Sequence, residues 1–90
     1  MSTYRLTLVT PAGKMFDGPV DFLTAPGSEG SLGILAGHAP LAAALKQGPL
    51  TIKSEGGERY FTVGSGILEV TARDGVLILS DFAVEKSSRK

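Results

Sequence analysis

Ninety residues, 42% of them apolar and 20% charged, are enough for one domain with a thin core, and the charge content is too low for a disordered chain. With no cysteine and a single histidine, His38, disulfides, thiolate metal sites and histidine-rich metal sites are all excluded. The formal net charge is zero, but residues 1–85 hold six basic and nine acidic groups, and Lys86, Arg89 and Lys90 restore the balance, so no basic face for nucleic acid is expected.

In chain order the dominant period is two. Tyr4, Leu6 and Leu8 alternate with Arg5, Thr7 and Val9, which predicts a strand buried on one face, with no signal-peptide pattern before it. Pro11, Ala12 and Gly13 mark a turn, and Val20 and Phe22 then alternate around Asp21. Residues 41–46 follow Pro40 and are stopped by Gly48 and Pro49; they are too few for a stable helix and read as a strand or irregular edge. Leu50 and Ile52 alternate around Thr51, and Glu55-Gly56-Gly57-Glu58 separates that run from Phe61 and Val63. Leu68 and Val70 flank Glu69, and Asp74-Gly75 predicts another hairpin. Residues 76–79 are continuously apolar, which predicts a strand covered on both faces or closing a core. Pro19, Pro26, Pro40 and Pro49 fall at or near strand ends, where a missing N–H costs little. The reading is one all-β domain, a β-sandwich or flattened barrel over residues 1–84, with a polar, frayed tail at 85–90. The longest apolar run, 39–45, is far short of the ~18 residues of a membrane helix, so any membrane association is expected to go through a protein partner.

Each test for chemistry fails. The stretch from Gly27 to Gly37 is glycine-rich, but no lysine lies between Lys14 and Lys46, Glu29 puts a negative charge in the loop, and no helix follows; a phosphate loop needs the opposite on each count. Gly64-Ser65-Gly66 begins a dinucleotide-like pattern, but position 69 is Glu and the segment lies between strands. His38 has Ser28, Ser31 and Glu29 near it in sequence, yet no nucleophile elbow is present. The carboxylates Glu55 and Glu58 bracket a hairpin tip, and Asp17 and Asp21 flank a turn. No catalytic residue, metal or cofactor is expected. Gly27, Gly30, Gly33 and Gly37 are dense for a connector, and Leu32, Ile34 and Leu35 between them would anchor the segment to the core. The expectation is a shaped loop that acts as a docking surface.

The run Gly27-Ser28-Glu29-Gly30-Ser31-Leu32-Gly33-Ile34-Leu35-Ala36-Gly37-His38-Ala39-Pro40-Leu41 resembles the glycine-rich signature of the epsilon subunit of F-type ATP synthases, in its N-terminal β-sandwich domain. Met15-Phe16 with Gly18, Gly48 before a strand, and Gly66-Ile67-Leu68-Glu69-Val70 are collinear with it, so the resemblance covers about residues 3–84. It implies a flattened barrel of about ten short strands. It also implies a non-catalytic rotor subunit that joins the gamma subunit to the c-ring and carries rotation to the alpha/beta head. Such a subunit lies on the cytoplasmic face of an energy-coupling membrane, here a bacterial plasma membrane, and reaches the membrane only through the c-ring. By position, Ser28, Glu29, Gly30 and Ser31 correspond to the loop facing the c-ring, and Thr10, His38 and Ala43 to the gamma contact.

The chain departs from the pattern at Ser31, where many members carry an acid, and at Ala36, where proline is common. Full-length members continue into a helical hairpin that can inhibit ATP hydrolysis and in some binds ATP; a chain ending at Lys90 is expected to be a short form or a truncation without either property. The competing readings are a free-standing β-sandwich that binds an unrelated protein through the same loop and, last, a small hydrolase using His38.

Overall fold

Residues 2–72 and 75–87 are described by a computed structural model, and all their regular structure is strand. The ten strands are β1 (Tyr4–Thr10), β2 (Gly13–Val20), β3 (Phe22–Gly27), β4 (Gly30–Leu35), β5 (Leu41–Leu45), β6 (Gly48–Ser54), β7 (Gly57–Val63), β8 (Gly66–Thr71), β9 (Gly75–Ser80) and β10 (Ala83–Lys86). Tight hairpins follow from the turn chemistry. In three of them a two-residue loop is closed by a glycine at positive φ: Pro11-Ala12 by Gly13 (125°), Ser28-Glu29 by Gly30 (130°) and Glu55-Gly56 by Gly57 (121°). Only glycine, which has no Cβ, adopts that conformation at little cost. Gly75, at φ 90°, opens β9; the other half of the predicted Asp74-Gly75 turn lies outside the described residues.

The hydrogen-bonded path runs β10-β7-β6-β3-β5-β8-β9-β1-β2, with β4 on β3. All pairs are antiparallel except β1 with β9. Since β4 occupies one whole edge of β3, β6 and β5 must share the other. β6 takes Phe22 to Thr24 and β5 only Gly27, which pairs with Leu45. Gly27 is therefore the corner where one leaf, β10-β7-β6-β3-β4, passes into the other, β5-β8-β9-β1-β2. Between the leaves lie Leu6, Leu8, Leu23, Ile34, Leu50, Ile52, Leu68 and Ile78, each at most 1% exposed. Burying one such side chain contributes about 1.5–3 kcal/mol, so this row of aliphatics is the main source of cohesion. A second tie crosses the leaves at Tyr4, whose hydroxyl donates to the Ile34 carbonyl at 2.7 Å. Burial pushes its pKa above the usual tyrosine range, so it remains a donor. In β2 the register steps from Phe16 opposite Leu8 to Lys14 opposite Val9, leaving Met15 as a bulge that packs on the core.

One sequence expectation is narrowed to one of its alternatives and another is corrected. Residues 76–79 close the core and are not covered on both faces: Val76 and Ile78 are buried, Leu77 is half-buried and Leu79 is 43% exposed, because β9 presents only alternate side chains to the core. The strand structure also runs past Val84. Glu85 and Lys86 pair with Phe61 and Tyr60 in β10, so the polar tail does not begin where hydropathy drops; Ser88, Arg89 and Lys90 lie outside the described residues.

Ion pairs lie on the surface. Arg5 holds Asp17 through two hydrogen bonds of 2.8 Å, with Lys14 at 3.2 Å. Arg59 holds Glu85 at 2.7 and 2.8 Å. The Arg5 hydrogen bond first, then Lys14, keeps the Asp17 carboxyl well below the usual range, and Arg59 lowers Glu85. A folded pKa depressed below the unfolded one stabilises the protein above the unfolded value and loses that contribution as pH falls through the folded one. Asp17→Asn and Glu85→Gln are therefore expected to flatten the fall in denaturation midpoint between about pH 5 and pH 2. An acid limb identical to that of the unsubstituted protein would show that these pairs carry no linkage.

Candidate functional site

The predicted glycine-rich loop is a β-hairpin. β3 and β4 pair along their length, from Phe22 opposite Leu35 to Gly27 opposite Gly30, so only Ser28 and Glu29 form the tip. The tip is held in place from the side, since the Ser28 N–H donates to the Ala44 carbonyl at 2.9 Å and the Lys46 N–H to the Pro26 carbonyl at 2.8 Å. Ser28, Glu29, Gly30 and Ser31 are all exposed. Beside them a cleft of about 420 Å³ opens between the hairpin end and Ala42 to Ala44 of β5. The four glycines have separate causes. Gly30 and Gly37 have positive φ, a Cβ on Gly27 would lie 2.4 Å from the Gly30 carbonyl oxygen, and Gly33 leaves room for the Phe22 ring at 3.3 Å.

The predicted gamma-contact residues are not brought together. Thr10 is 7% exposed, and its hydroxyl accepts the Ala12 N–H at 3.1 Å within the first hairpin. Ala43 is half-buried on the same side of β5 as Leu41 and Leu45, while Ala42 and Ala44 face outward. His38 is half-buried past the far end of β4, its Nδ1 2.7 Å from the Ala39 carbonyl, beside a cleft of about 440 Å³ bordered by Thr3, Val70 and Gly75. The length of β4 separates it from the hairpin tip, roughly 17 Å at strand rise, so Ser28, Ser31 and Glu29 cannot form a triad with it. No group of three or more metal-ligating side chains exists among the described residues.

What the sequence reading missed is an apolar row on the outside of the second leaf. Ala44 sits opposite Ile67, Ile67 opposite Leu79, and Leu79 opposite Val9, so one cross-strand line runs over β5, β8, β9 and β1. Ile67 is 44% and Leu79 43% exposed. The row ends at Ala44, which carries the hydrogen bond to Ser28, so the apolar face and the polar hairpin tip form one continuous surface. The signal was present. Ile67-Leu68 and the run 76–79 place apolar residues next to each other, and adjacent strand residues point to opposite faces. One of each pair had to face outward.

Residues 3–86 match the profile of the family described as ATP synthase, Delta/Epsilon chain, beta-sandwich domain. The chain is 41% identical over 83 residues to an ATP synthase epsilon chain of Rhodopseudomonas palustris, a match that covers 92% of this chain and 61% of that protein. It is 38% identical over 85 residues to an ATP synthase epsilon chain of Caulobacter vibrioides, covering 94% of this chain and 98% of that one. It thus spans about three fifths of the first relative and nearly all of the second. Among solved structures, it superposes with a TM-score of 0.87 and 29% identity on a chain of the Euglena gracilis mitochondrial ATP synthase (OSCP, F1 and c-ring), over 94% of this chain and 54% of that one. The corresponding values for a chain of the Tetrahymena thermophila mitochondrial ATP synthase central stalk and c-ring are 0.75 and 26%, over 92% and 66%.

Proposed function

Because this chain belongs to the β-sandwich family of ATP synthase delta/epsilon chains, we propose that it is a non-catalytic subunit of the central stalk, which joins gamma to the c-ring and couples ion flow to ATP synthesis in the alpha/beta head. It works at the cytoplasmic face of a bacterial plasma membrane and meets that membrane only through the c-ring. No helix among the described residues is long and apolar enough to cross a membrane.

The observation that carries this reading is the joined surface. A partner that turns with the subunit needs an apolar contact, and the row Val9, Leu79, Ile67 and Ala44 supplies one across four paired strands. Gamma is assigned to this row. Thr10 and Ala43 adjoin it in sequence, but the outward-facing contacts are Val9, Ala42 and Ala44. The tip residues Ser28, Glu29, Gly30 and Ser31 are assigned to the polar loops of the c-ring. With serine at 31, Glu29 is the only acid of that tip, so shape contributes more there than ion pairing.

The chain mixed with purified gamma is expected to comigrate as a stable complex at micromolar concentration. Leu79→Asp and Ile67→Asp, both at exposed positions, are expected to leave the circular dichroism unchanged and weaken the complex by about 2 kcal/mol or more each, as for central interface residues. Glu29→Ala is expected to leave gamma binding intact and to lower coupling in the assembled enzyme. Full gamma affinity in the Leu79→Asp, Ile67→Asp double variant would move the contact to another face.

A further inference from the structure

The chain just before β10 is firmly anchored. The Gly64 N–H donates to the Phe82 carbonyl at 3.0 Å and the Asp81 N–H to the Ser65 carbonyl at 3.1 Å. The buried Ser80 hydroxyl lies 3.0 Å from the Gly64 carbonyl and 2.8 Å from that of Phe82, and Ser65 Oγ donates to Asp81 at 3.0 Å. The Phe82 ring fills the space where Gly64 has no side chain. This knot binds the β7–β8 turn to the β9–β10 turn and ends at Phe82.

Beyond it the attachment changes character. β10 pairs with β7 alone, from Ala83 opposite Val63 to Lys86 opposite Tyr60. Each of the other nine strands contributes at least one buried aliphatic of valine size or larger, whereas β10 buries only Ala83, and Val84 is 57% exposed. Among the described residues, a side-chain hold on β10 is the two-pronged contact of Arg59 with Glu85. Arg59 is itself held in place by two rings, with its guanidinium carbon 5.0 Å from the Phe16 centroid in β2 and 5.6 Å from that of Phe61 in β7. Those contacts do not involve β10, so the arginine stays in position whether β10 is docked or not.

We propose that β10 is a strap that opens from β7 and closes on it as a unit, hinged after Phe82 and latched by Arg59 on Glu85, while the other nine strands remain folded. Opening removes one methyl group from the core and uncovers the β7 edge at residues 60–63, a row of backbone groups ready to pair with another strand. Closing requires only that Glu85 meet a guanidinium already oriented by Phe16 and Phe61. Elements with few buried apolar contacts are the ones that open below the global unfolding free energy.

Hydrogen exchange on the full chain tests this. In the unsubstituted protein, β10 amides are expected to exchange faster than those of β8 and β9. Glu85→Gln, which leaves the Arg59 stacking intact, is expected to speed β10 exchange by about two- to fivefold, the range of an exposed ion pair, with β8 and β9 unchanged. Arg59→Lys should resemble it, because lysine keeps the charge but lacks the fork. Arg59→Ala should reach about tenfold, since the ring contacts are lost as well. The proposal is overturned if β10 exchanges at the core rate in the unsubstituted protein, if Glu85→Gln accelerates every strand equally, or if neither Glu85→Gln nor Arg59→Ala accelerates β10.

Discussion

Gly66→Ala is expected to destabilise the protein by about 3 kcal/mol or more, at the upper end for overpacking. A Cβ at this position would lie 1.9 Å from the Leu79 carbonyl oxygen and 2.9 Å from both the Leu79 carbonyl carbon and the Ser80 Cα. All three are backbone atoms, so no side-chain rotation relieves the clash. β8 and β9 would have to separate where Gly66 also pairs with Leu45, on the strand that meets the Gly27 corner. A domain of this size is stable by only about 5–15 kcal/mol, and a loss of 3 kcal/mol lowers the melting temperature by roughly 12–24 °C. Gly56→Ala is the control. Nothing lies within 4 Å of its Cβ and its φ is not positive, so the midpoint should be unchanged or slightly raised. Urea titrations of both variants decide the matter; a Gly66→Ala midpoint close to that of Gly56→Ala would mean that the two strands can part at that point without loss.

Gly66 also marks how far the sequence could be read. Alternation identified the strands around Leu6, Ile52, Phe61 and Leu68 because a half-buried strand must repeat every two residues, and that repeat is local. The turns were legible for the same reason, since Gly-Gly at 56 and 57 and the glycines at 13 and 30 answer a demand of the backbone within a few residues. The glycines at 64 and 66 stand out in the sequence only as the start of a dinucleotide-like pattern, and their cause is out of its reach. It is the approach of Phe82 and of the Leu79 backbone from another strand. The parallel pairing of β1 with β9 and the grip of Arg59 on Glu85 were hidden in the same way, because period two tells which side a residue faces and not which strand lies beside it. At the candidate surface, Glu29 and its neighbours can be singled out in the sequence because the motif is contiguous. Ile67 and Leu79 cannot be, because they become neighbours only when β8 and β9 pair.

Gly27→Ala and Gly30→Ala separate two reasons for glycine within one hairpin. At Gly27 the obstacle is contact. The added Cβ would stand 2.4 Å from the Gly30 carbonyl oxygen and 3.0 Å from Leu32 Cγ, at the corner that joins the two leaves. At Gly30 nothing lies within 4 Å, and the obstacle is φ, +130°. Backbone strain of that kind costs about 1–3 kcal/mol, whereas the Gly27 clash must shift the β4 backbone or break the Gly27–Leu45 pair and is expected to cost about 3 kcal/mol or more. Chirality distinguishes the two causes. D-alanine at position 30, introduced by chemical ligation, favours positive φ and should recover most of the stability that L-alanine loses there. The same contrast bears on the proposed docking surface. Gly30→Ala alters the carrier of the Ser28-Glu29 tip while the Gly27 corner stays intact, so under the proposed function coupling to the c-ring should fall more than gamma binding does. Gly27→Ala disturbs the corner shared with β5, where Ala44 both receives the Ser28 N–H and ends the apolar row, so both contacts should weaken together. Equal stability of the L- and D-alanine proteins at position 30 would remove φ as the reason for that glycine and leave the tip without its shaping element.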